Sequence, residues 1–515
     1  MRKMAAGDLK GWPKDEARTT LVPQDVSSTD PLFHEGSTPL ECALKSTVPL
    51  DEDHPERDEL KRKELAIAKL KKMGFGEKLR SQAFSTLSQG WKQRLAVVCA
   101  ILSEPDVLLL DEPSDAVDLP GIVRLEKFLL EESEDRILVV ISHDTSFLNN
   151  ITTDILYIDN KKLKVFPGDY ASYVERQEER MRAMEARVDA AERQRDAAES
   201  FVKKQQHSSD VNKQKQAKEK REKMELLGAY REDGRRYKRY SLKKLDEKWL
   251  RQPEVPPERI RKAKELHFHL PSEFETLRIS HDAALVRYDQ VDVGYGKDSI
   301  ILKKVTLQIS YNSRIALVGE NSSGKSTLMN ALCKTGNVQV MGGTVSFYPS
   351  LQVAYIPQRY GESLSTEHGT ITPAELCVHL KLFSNEQDSR QHLGRFGLTG
   401  KLGVTKISQL SGGQKTRLAI ALKCAITNPH LLILDEPSHG LDAPARLALE
   451  EALQEFPGAV LVSSHDREFL REGGFNQLWI TGKGALRCIA ARPEEDPELQ
   501  KEAFNDIFDA YLDSL

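Results

Sequence analysis

Two stretches of this sequence decide the fold because they are two copies of one pattern. They read LSQGWKQRLAVVCAILSEPDVLLLDEPSDAVD, Leu87 to Asp118, and LSGGQKTRLAIALKCAITNPHLLILDEPSHGLD, Leu410 to Asp442. Each copy opens with a serine and glycine turn, continues as a helical run and ends as an apolar strand followed by Asp-Glu-Pro. A pattern repeated in both halves of a chain indicates an internal duplication. We therefore expect two similar domains.

The duplication extends beyond these two stretches. Each half continues into an apolar strand that ends in His-Asp, ILVVISHDTSFL at 137–148 and AVLVSSHDREFL at 459–470. Each half also has a glutamine after an extended run upstream of its copy, Gln24 and Gln358. Short strands rich in β-branched residues alternate with helical stretches, which predicts a parallel α/β sheet in each half.

Only the second half of the sequence contains a glycine-rich phosphate-binding pattern, GENSSGKS at 319–326. It follows an apolar strand and precedes a helix, which is the context that such a loop needs. We expect its glycines to let the backbone wrap the phosphates, while backbone amides and the helix N-terminus stabilise the anion. The predicted nucleotide-binding residues here are Gly319, Glu320, Asn321, Ser322, Ser323, Gly324, Lys325, Ser326 and Thr327.

Spacing accounts for the missing loop of the first half. Lys325 precedes Gln358 by 33 residues, and a lysine equally far before Gln24 would fall upstream of Met1. We therefore expect the first half to begin after its phosphate loop. A truncated record, a wrong start codon and a genuinely shortened variant are equally consistent with this spacing.

Acidic residues after the second-half strand LLILD are predicted to carry the chemistry. Parallel sheets bind ligands at the carboxyl ends of their strands, where Asp435 and Glu436 fall. We expect Asp435, with Ser326 and Gln358, to hold Mg²⁺ and its water, and Glu436 to polarise the attacking water. Two further predictions are that His465 contacts the γ-phosphate as a catalytic residue and that Tyr295 stacks on adenine. Gln358 is also expected to take part in catalysis by sensing the metal and the water.

Small residues open the helix of each copy. Serine and glycine at that place let a helix N-terminus approach a second phosphate group closely. A protein needs this in addition to a phosphate loop only if the nucleotide is sandwiched between two half-sites. The predicted contributors are Ser88, Gly90, Ser411, Gly412 and Gly413.

The segment between the halves is basic. The whole chain of 515 residues has a net charge of -4, whereas residues 175–266 hold 27 Lys and Arg against 19 Asp and Glu. Heptad-spaced apolar residues after Tyr170 predict a long helix, and NKQKQAKEKREKMELL predicts a second, basic helix. The two predict a protruding hairpin; the alternative is a solvated spacer.

The remaining composition indicates a soluble cytosolic protein. Six cysteines are scattered without metal-site spacing, which favours reduced thiols. No apolar run approaches the length of a bilayer span, and the first residues lack the apolar core of a signal peptide.

Together these motifs resemble the ATP-binding-cassette ATPases, and the twin cassettes with a charged helical linker resemble the ABC-F subfamily. The resemblance includes SQGW at 88–91, VFPGDYASYVERQEER at 165–180 and the basic linker helix. Members of that subfamily bind the ribosome and regulate translation or assembly. The resemblance implies an α/β fold of two P-loop NTPase cassettes at 1–174, without its phosphate loop, and 267–487. A basic linker at 175–266 follows the first cassette. From its own composition, the acidic C-terminal segment at 488–515 is expected to be a tail, with a short helix as the alternative.

The resemblance also implies ATP and Mg²⁺ as cofactors, ATP hydrolysis, and two head-to-tail sites. One site joins the phosphate loop, Gln358, Asp435, Glu436 and His465 to Ser88 and Gly90 of the first half. The other joins Gln24, Asp111, Glu112 and His143 to Ser411, Gly412 and Gly413, and is expected to have lost phosphate binding. Gln89 replaces the usual signature glycine, and SDAVD departs from the family's pattern, so the role of Asp118 is left open.

The implied partner is the ribosome, with ribosomal RNA and transfer RNA facing the linker, no membrane and no obligatory protein partner. Two alternatives are an ATP-latched scaffold protein with little turnover and the ATPase subunit of a transporter. Because the phosphate-loop strand is central in the family's sheet, we expect its absence to bare the strand at 107–110. Residues 1–174 alone are then expected to be insoluble or molten.

Overall fold

A computed structural model describes most of the chain on both sides of the linker. The described residues are 1–8, 12, 17–26, 32–49, 55–115, 117–159, 162–184, 186, 193, 200, 268, 270, 284–296, 298–358, 360–426, 429–438, 441, 443–493 and 496–515. The chain divides into two compact units, Met1–Ile151 with Leu266–Leu515, and Thr152–Glu265. Both halves of the duplication therefore contribute to the larger unit.

The first half of the larger unit is built on a three-stranded parallel sheet in the order β1-β2-β3. Its strands are β1 (Thr19–Val22), β2 (Val107–Asp111) and β3 (Ile137–Ile141). Its helices are α1 (Arg2–Ala5), α2 (Pro39–Ser46), α3 (Pro55–Lys72), α4 (Glu77–Arg80), α5 (Gln89–Leu102), α6 (Leu119–Glu132) and α7 (Thr145–Ile151).

Local sequence explains where these helices begin. Thr38 and Glu41 form a reciprocal capping box at the start of α2. Asp118 caps α6, its side chain accepting the Gly121 amide, and Pro120 lies in the first turn, where a missing N–H costs nothing. Helix α5 buries Leu95 through Leu102 because both of its faces meet apolar neighbours.

The second half is built on a six-stranded sheet in the order β11-β12-β13-β8-β14-β15. Five neighbouring strands are parallel and β15 is antiparallel to β14. Its strands are β8 (Arg314–Gly319), β11 (Val353–Ile356), β12 (Leu431–Asp435), β13 (Ala459–Ser463), β14 (Gln477–Gly482) and β15 (Ala485–Ala490). Strands β12 and β13 are buried at every residue, as their continuous apolar sequences predict.

An antiparallel sheet and eight helices among the described residues complete this half. Strands β10 (Thr344–Phe347), β6 (Ala284–Gly294) and β7 (Ile300–Ser310) lie in that order, and β9 (Gln339–Met341) also pairs with β6. The helices are α8 (Lys325–Cys333), α9 (Tyr360–His368), α10 (Pro373–His379), α11 (Glu386–Gly394), α12 (Gly412–Ile426), α13 (Ala443–Glu455), α14 (Arg467–Glu472) and α15 (Pro497–Asp513).

The two parallel sheets correspond strand for strand where both are present. Strand β1 pairs with β2 as β11 pairs with β12, with Val22 opposite Leu110 and Ile356 opposite Leu434. Strand β3 takes the place of β13. The α/β fold and the duplication predicted from the sequence are thereby confirmed.

The expectation that the strand at 107–110 would be bared is wrong. Strand β2 stays buried because it lies between β1 and β3 under its covering helices. The open edge is β3, whose counterpart β13 pairs with β8 in the second half. Ile137 and Ile141 of β3 are 63% and 48% exposed, whereas all five residues of β13 are buried.

The acidic C-terminal segment, for which the sequence left a short helix and a tail as alternatives, forms the helix α15. Phe504, Phe508 and Tyr511 recur at helical spacing and are buried in the core of the second half. Arg471 pairs with Asp509 on the outer side of α15. The acidic residues are thus the solvent face of an amphipathic helix.

The smaller unit begins with a two-stranded antiparallel hairpin, β4 (Asp154–Asp159) and β5 (Lys162–Pro167). Tyr173 of the following helical segment contacts Tyr157 and Phe166, with ring centroids 5.1 and 5.7 Å apart. That segment is helical over 170–184, the first part of the predicted long helix. The predicted second basic helix and the hairpin tip lie outside the described residues. Among the described residues, no helix has the length and apolar character needed to cross a membrane.

Candidate nucleotide site

The loop between β8 and α8 has the shape of a phosphate cradle. Gly319 and Gly324 have φ of 148° and 104°, in the region that favours glycine. A Cβ on Gly319 would lie 2.4 Å from the carbonyl oxygen of Thr481, so a larger residue cannot occupy that position. The loop therefore brings backbone amides close together at the N-terminus of α8, an arrangement suited to an anion.

The side chain of Lys325 folds back over this loop. Its Nζ donates to the carbonyl oxygens of Gly319 at 2.7 Å and Glu320 at 3.1 Å. The residue is only 8% exposed, and this burial lowers the pKa of Lys325, although Glu436 and Asp118 oppose the effect. The ammonium group is thus held at the place where β- and γ-phosphate oxygens are expected.

Ser326 and Asp435 meet at the carboxyl edge of the six-stranded sheet. Ser326 Oγ donates to Asp435 Oδ2 at 2.8 Å. Burial raises the pKa of Asp435, while this hydrogen bond and the charge of Lys325 lower it. A hydroxyl and a carboxylate oxygen side by side are ligands that Mg²⁺ accepts in sites where phosphates and water supply the remainder. The residues present therefore fit the metal.

Glu436 and His465 contact each other directly beside this pair. The amide of His465 donates to Glu436 Oε2, and the ring Nε2 lies 3.2 Å from Oε1. Burial raises the pKa of Glu436 to about 8 and holds the pKa of His465 well below its ordinary value. The imidazole is therefore neutral, and the carboxyl group is able to exchange a proton near neutral pH.

His465 is predicted from the sequence to contact the γ-phosphate. In the structure its ring contacts Glu436. Its Nδ1 is buried, and the described residues offer this atom no hydrogen-bond partner. One ring nitrogen therefore faces Glu436, and the other is buried without a hydrogen-bond partner among the described residues.

Gln358 and Tyr295 lie at the border of the site. Gln358 follows β11 by two residues and is exposed at the same sheet edge as Asp435. Tyr295 is 50% exposed, and its hydroxyl lies 3.4 Å from Thr327 Oγ1. An open tyrosine ring beside the loop is compatible with stacking on a base.

The first half reaches this loop through the start of α6. The amide of Asn321 donates to Asp118 Oδ2 at 2.7 Å. Further along the same helix, Arg124 lies 3.7 Å from Glu320. These contacts bring the first half to the phosphate loop through Asp118 and Arg124.

A chain of contacts joins Asp118 to the first-half signature. The Arg94 guanidinium lies 3.7 Å from the ring centroid of Trp91 and 3.2 Å from Asp118 Oδ1. Both Arg94 and Asp118 are buried. Sequence reasoning missed Arg94, although an arginine at the same place in both copies, Arg94 and Arg417, was a usable signal.

The predicted signature residues occupy the N-terminus of α5. Ser88 is the exposed N-cap residue, and its side chain makes no capping hydrogen bond. Gly90 is buried in the first turn. The Ser88 hydroxyl is therefore available to a ligand. In the second half, Ser411 and Gln414 cap each other, and α12 begins at Gly412 and Gly413.

The first half repeats the Glu–His pair in an open setting. His143 Nε2 lies 3.5 Å from Glu112 Oε1, and its amide donates to Glu112 Oε2, as in the second half. The His143 side chain is 97% exposed, compared with 19% for His465. Gln24 contacts Asp115 at 3.2 Å, and Asp111 ends β2. The described residues around this pair include no phosphate loop.

Comparison with protein families identifies both halves. A family model described as "ABC transporter" matches residues 5–115 and 302–439. A second model with the same description matches residues 156–240. Together they match well over half of the chain.

Curated relatives match along most of this chain. The chain is 32% identical to Protein GCN20 of Saccharomyces cerevisiae over 419 residues. This alignment covers 81% of this chain and 50% of the relative. The chain is also 30% identical to the ATP-binding cassette sub-family F member 3 of Rattus norvegicus over 432 residues. That alignment covers 84% of this chain and 55% of the relative. The chain thus spans about half the length of these relatives.

Solved structures share the fold. An archaeal ribosome recycling factor, aABCE1, solved with the archaeal ribosomal stalk protein aP1, aligns with a TM-score of 0.56 at 19% identity. The alignment covers 99% of this chain and 78% of that one. A structure titled RNase-L Inhibitor aligns with a TM-score of 0.54 at 20% identity, covering 95% and 75% of the two chains.

Proposed function

We propose that this chain, which belongs to the ABC-F family of ATP-binding-cassette proteins, binds ATP at the second-half phosphate loop and hydrolyses it under a cover supplied by the first half. The observation that carries the proposal is the hydrogen bond from the Asn321 amide to Asp118, because it brings a first-half residue to the loop of the second half. The Ser326–Asp435 and Glu436–His465 pairs lie at the same sheet edge.

Binding begins at the loop. The triphosphate lies along the amides at 319–324 and the N-terminus of α8, and the Lys325 ammonium turns from the loop carbonyls to the β- and γ-phosphate oxygens. Tyr295 packs against the base. Ser326, Asp435 and Gln358 would hold Mg²⁺, which neutralises charge on the phosphate oxygens when it is bound.

Hydrolysis follows when the first half closes over the γ-phosphate. Ser88 and Gly90 at the N-terminus of α5 donate to its oxygens. A water molecule attacks phosphorus in line and gives its proton to Glu436, the bond to the β-phosphate oxygen breaks, and ADP and phosphate form. The neutral His465 holds Glu436 from the side and offers its second ring nitrogen to the phosphate.

The proposed place of action is the ribosome, in the cytoplasm, with the basic linker at 175–266 facing ribosomal or transfer RNA. The excess of Lys and Arg in that segment supports an RNA contact, because such residues neutralise phosphates and release counterions. The aligned archaeal protein is titled a ribosome recycling factor, which makes the ribosome the first partner to test.

An ATPase assay of the purified chain with and without ribosomes tests this function. We expect Mg²⁺-dependent phosphate release that rises when ribosomes are added. If ribosomes leave the rate of phosphate release unchanged, the ribosome is not the partner, while the proposed ATPase activity stands. If no phosphate is released either with or without ribosomes, the proposed ATPase activity is wrong.

A second candidate is a scaffold that uses ATP as a latch with little turnover. The observation that favours it is Gln89, which occupies the position between Ser88 and Gly90 where the family's signature usually has glycine. A bulkier group there crowds the γ-phosphate. Retention of ATP on the native chain over many minutes without phosphate release would select this candidate.

A further inference from the structure

A buried ion pair joins the two halves away from the phosphate loop. Arg467, the first residue of α14, faces Glu126 of α6, with Nη1 donating to Oε2 at 3.1 Å and Nη2 contacting Oε1. Asn150 Nδ2 donates to the same Oε2 at 3.1 Å. Glu126 and Arg467 are 6% and 5% exposed. The two charges come from residues 341 positions apart in the chain, so the pair exists only while the halves are in contact.

Arg467 lies next to the groups that are proposed to activate water. It follows His465 by two residues, and Asp466 between them caps α14 by accepting the Phe469 amide at 3.0 Å. The backbone of His465 donates to Glu436. Anchoring the first turn of α14 therefore fixes the backbone that orients both His465 and Glu436.

The partner helix reaches the other side of the same site. Helix α6 begins after Asp118, which accepts the Asn321 amide of the phosphate loop. Glu126 lies two turns later, about 12 Å along the axis at 1.5 Å per residue. One rigid helix of the first half thus contacts the loop that holds phosphate and the segment that holds the catalytic pair.

The duplication supplies an internal comparison. Counting from Asp118 and Asp442, Glu126 corresponds to Glu450 of α13, and counting from the two histidines, Arg467 corresponds to Thr145. Glu450 is 4% exposed, and its nearby arginine, Arg446 at 3.6 Å, belongs to its own helix. The first-half position that matches Arg446 is Ile122. Glu126 therefore depends on the opposite half for its arginine, whereas Glu450 does not.

We propose that Arg467 and Glu126 are positioning residues for hydrolysis, which align His465 and Glu436 with the phosphate loop when the halves close. The inference rests on the proposed ATPase and deepens it, because it makes turnover at the second-half site depend on a first-half carboxylate that touches no nucleotide. The pair acts on the geometry of the reacting groups and leaves the loop amides that bind phosphate unchanged.

The test compares Glu126→Gln and Arg467→Lys with the native chain in the steady-state ATPase assay. We expect kcat to fall about 10- to 100-fold with KM for ATP nearly unchanged, because misplacing catalytic groups slows chemistry more than it weakens binding. Glu131, which lies on the same helix as Glu126, forms an exposed ion pair with Lys72 of α3. Glu131→Gln removes that pair, and as the matched control it should leave both constants unchanged. A native kcat in Glu126→Gln would overturn the proposal.

A charge-reversed double variant separates positioning from folding. Glu126→Arg combined with Arg467→Glu restores a pair of opposite charges, and we expect it to recover much of the kcat that either reversal alone removes. If the activity of the single variants falls only in proportion to their folded fraction, judged by thermal melting, the pair is merely structural and the proposal is wrong.

Failure of the underlying function gives a different result. A native chain that binds ATP without turnover overturns the proposed hydrolysis, and an inference about kcat falls with it. A native chain that binds no ATP overturns the proposed function, and this inference falls with it.

Discussion

Glu436 and Glu112 occupy the same position in the two copies and share an unusual backbone. Both lie in the left-handed region, with φ of 52° and 49°, which costs free energy for a residue other than glycine. Each accepts a hydrogen bond from the amide of the following histidine. The two pairs differ in solvent exposure, because the His465 side chain is largely buried and the His143 side chain is exposed. The duplication thus kept the local geometry in both halves, while only the second half encloses it.

The role of Glu436 leads to a direct prediction. Glu436→Gln keeps the shape of the side chain and removes its ability to take a proton, so we expect phosphate release to fall by about 100-fold or more. The measurement is steady-state phosphate release at saturating ATP. Glu112→Gln, the same change in the open copy, serves as the comparison and should have a much smaller effect. Turnover of Glu436→Gln at the native rate would refute the role given to this carboxylate.

Glu450 makes stability depend on pH. Burial raises its pKa from 4.5 to about 8, so the folded chain retains a proton that the unfolded chain has released between these pH values. The free energy of unfolding should therefore decrease as the pH rises through this range, by at most about 1.4 kcal/mol per pH unit from this group. We expect Glu450→Gln to flatten that decrease in denaturant titrations at pH 6, 7 and 8.

The control for this prediction is Glu455→Gln, an exposed glutamate of the same helix. It should leave the pH dependence as it is in the native chain. An unchanged slope in Glu450→Gln would show that other buried groups cause the decrease.

At the scale of elements, α6 connects the signature helix to the phosphate loop. Its cap, Asp118, accepts from Gly121, Arg94 and Asn321 at once. Asp118→Asn keeps an oxygen for the cap and removes the charge that faces Arg94. We expect the fold to persist, with stability lower by about 1–3 kcal/mol, and turnover to fall about 10-fold because the halves meet less firmly.

Thermal melting and the ATPase assay measure the two effects of Asp118→Asn. Asp115→Asn in the same loop, which weakens an exposed hydrogen bond from Gln24, is the matched control. Native turnover in a folded Asp118→Asn chain would show that the hydrogen bond from Asn321 does not contribute to closure.

The linker prediction concerns Lys213, Lys215, Lys218 and Lys220, which lie outside the described residues. If this segment binds RNA, neutralising these lysines should weaken ribosome association. For every lysine that pairs with an RNA phosphate, its removal should reduce the slope of log affinity against log salt by about one unit. Sedimentation with ribosomes at several salt concentrations measures the slope. An unchanged slope would indicate a solvated spacer.

Sequence patterns predicted those elements that local chemistry determines. The short apolar run of β12 predicted a buried strand, and glycines at 319 and 324 fit the backbone of the loop. For the acidic C-terminal segment the sequence left a short helix and a tail open, and the structure decides for the helix α15, in which Phe504 and Phe508 are buried. The patterns missed Glu126 and Arg467, which become partners only when distant parts of the chain meet.

At the scale of the molecule, the two halves of the duplication have unequal sheets within one unit. The second half has six strands around its loop, and the described part of the first half has three, with an exposed edge at β3. The first half nevertheless contributes Asp118, Arg124 and Glu126 to contacts with the second. We therefore expect both halves to be needed to complete the proposed nucleotide site.

Retention of ATP tests that shared site most directly. Glu436→Gln chain is incubated with labelled ATP and Mg²⁺, and the label that remains after gel filtration is counted. We expect retention in this background, and its disappearance when Ser88→Arg is added, because a bulky cation blocks the first-half cover without touching the loop. Ser85→Arg, at an exposed position three residues earlier, should retain ATP. Retention undiminished by Ser88→Arg, or no retention in any of these chains, would contradict a nucleotide held between the halves.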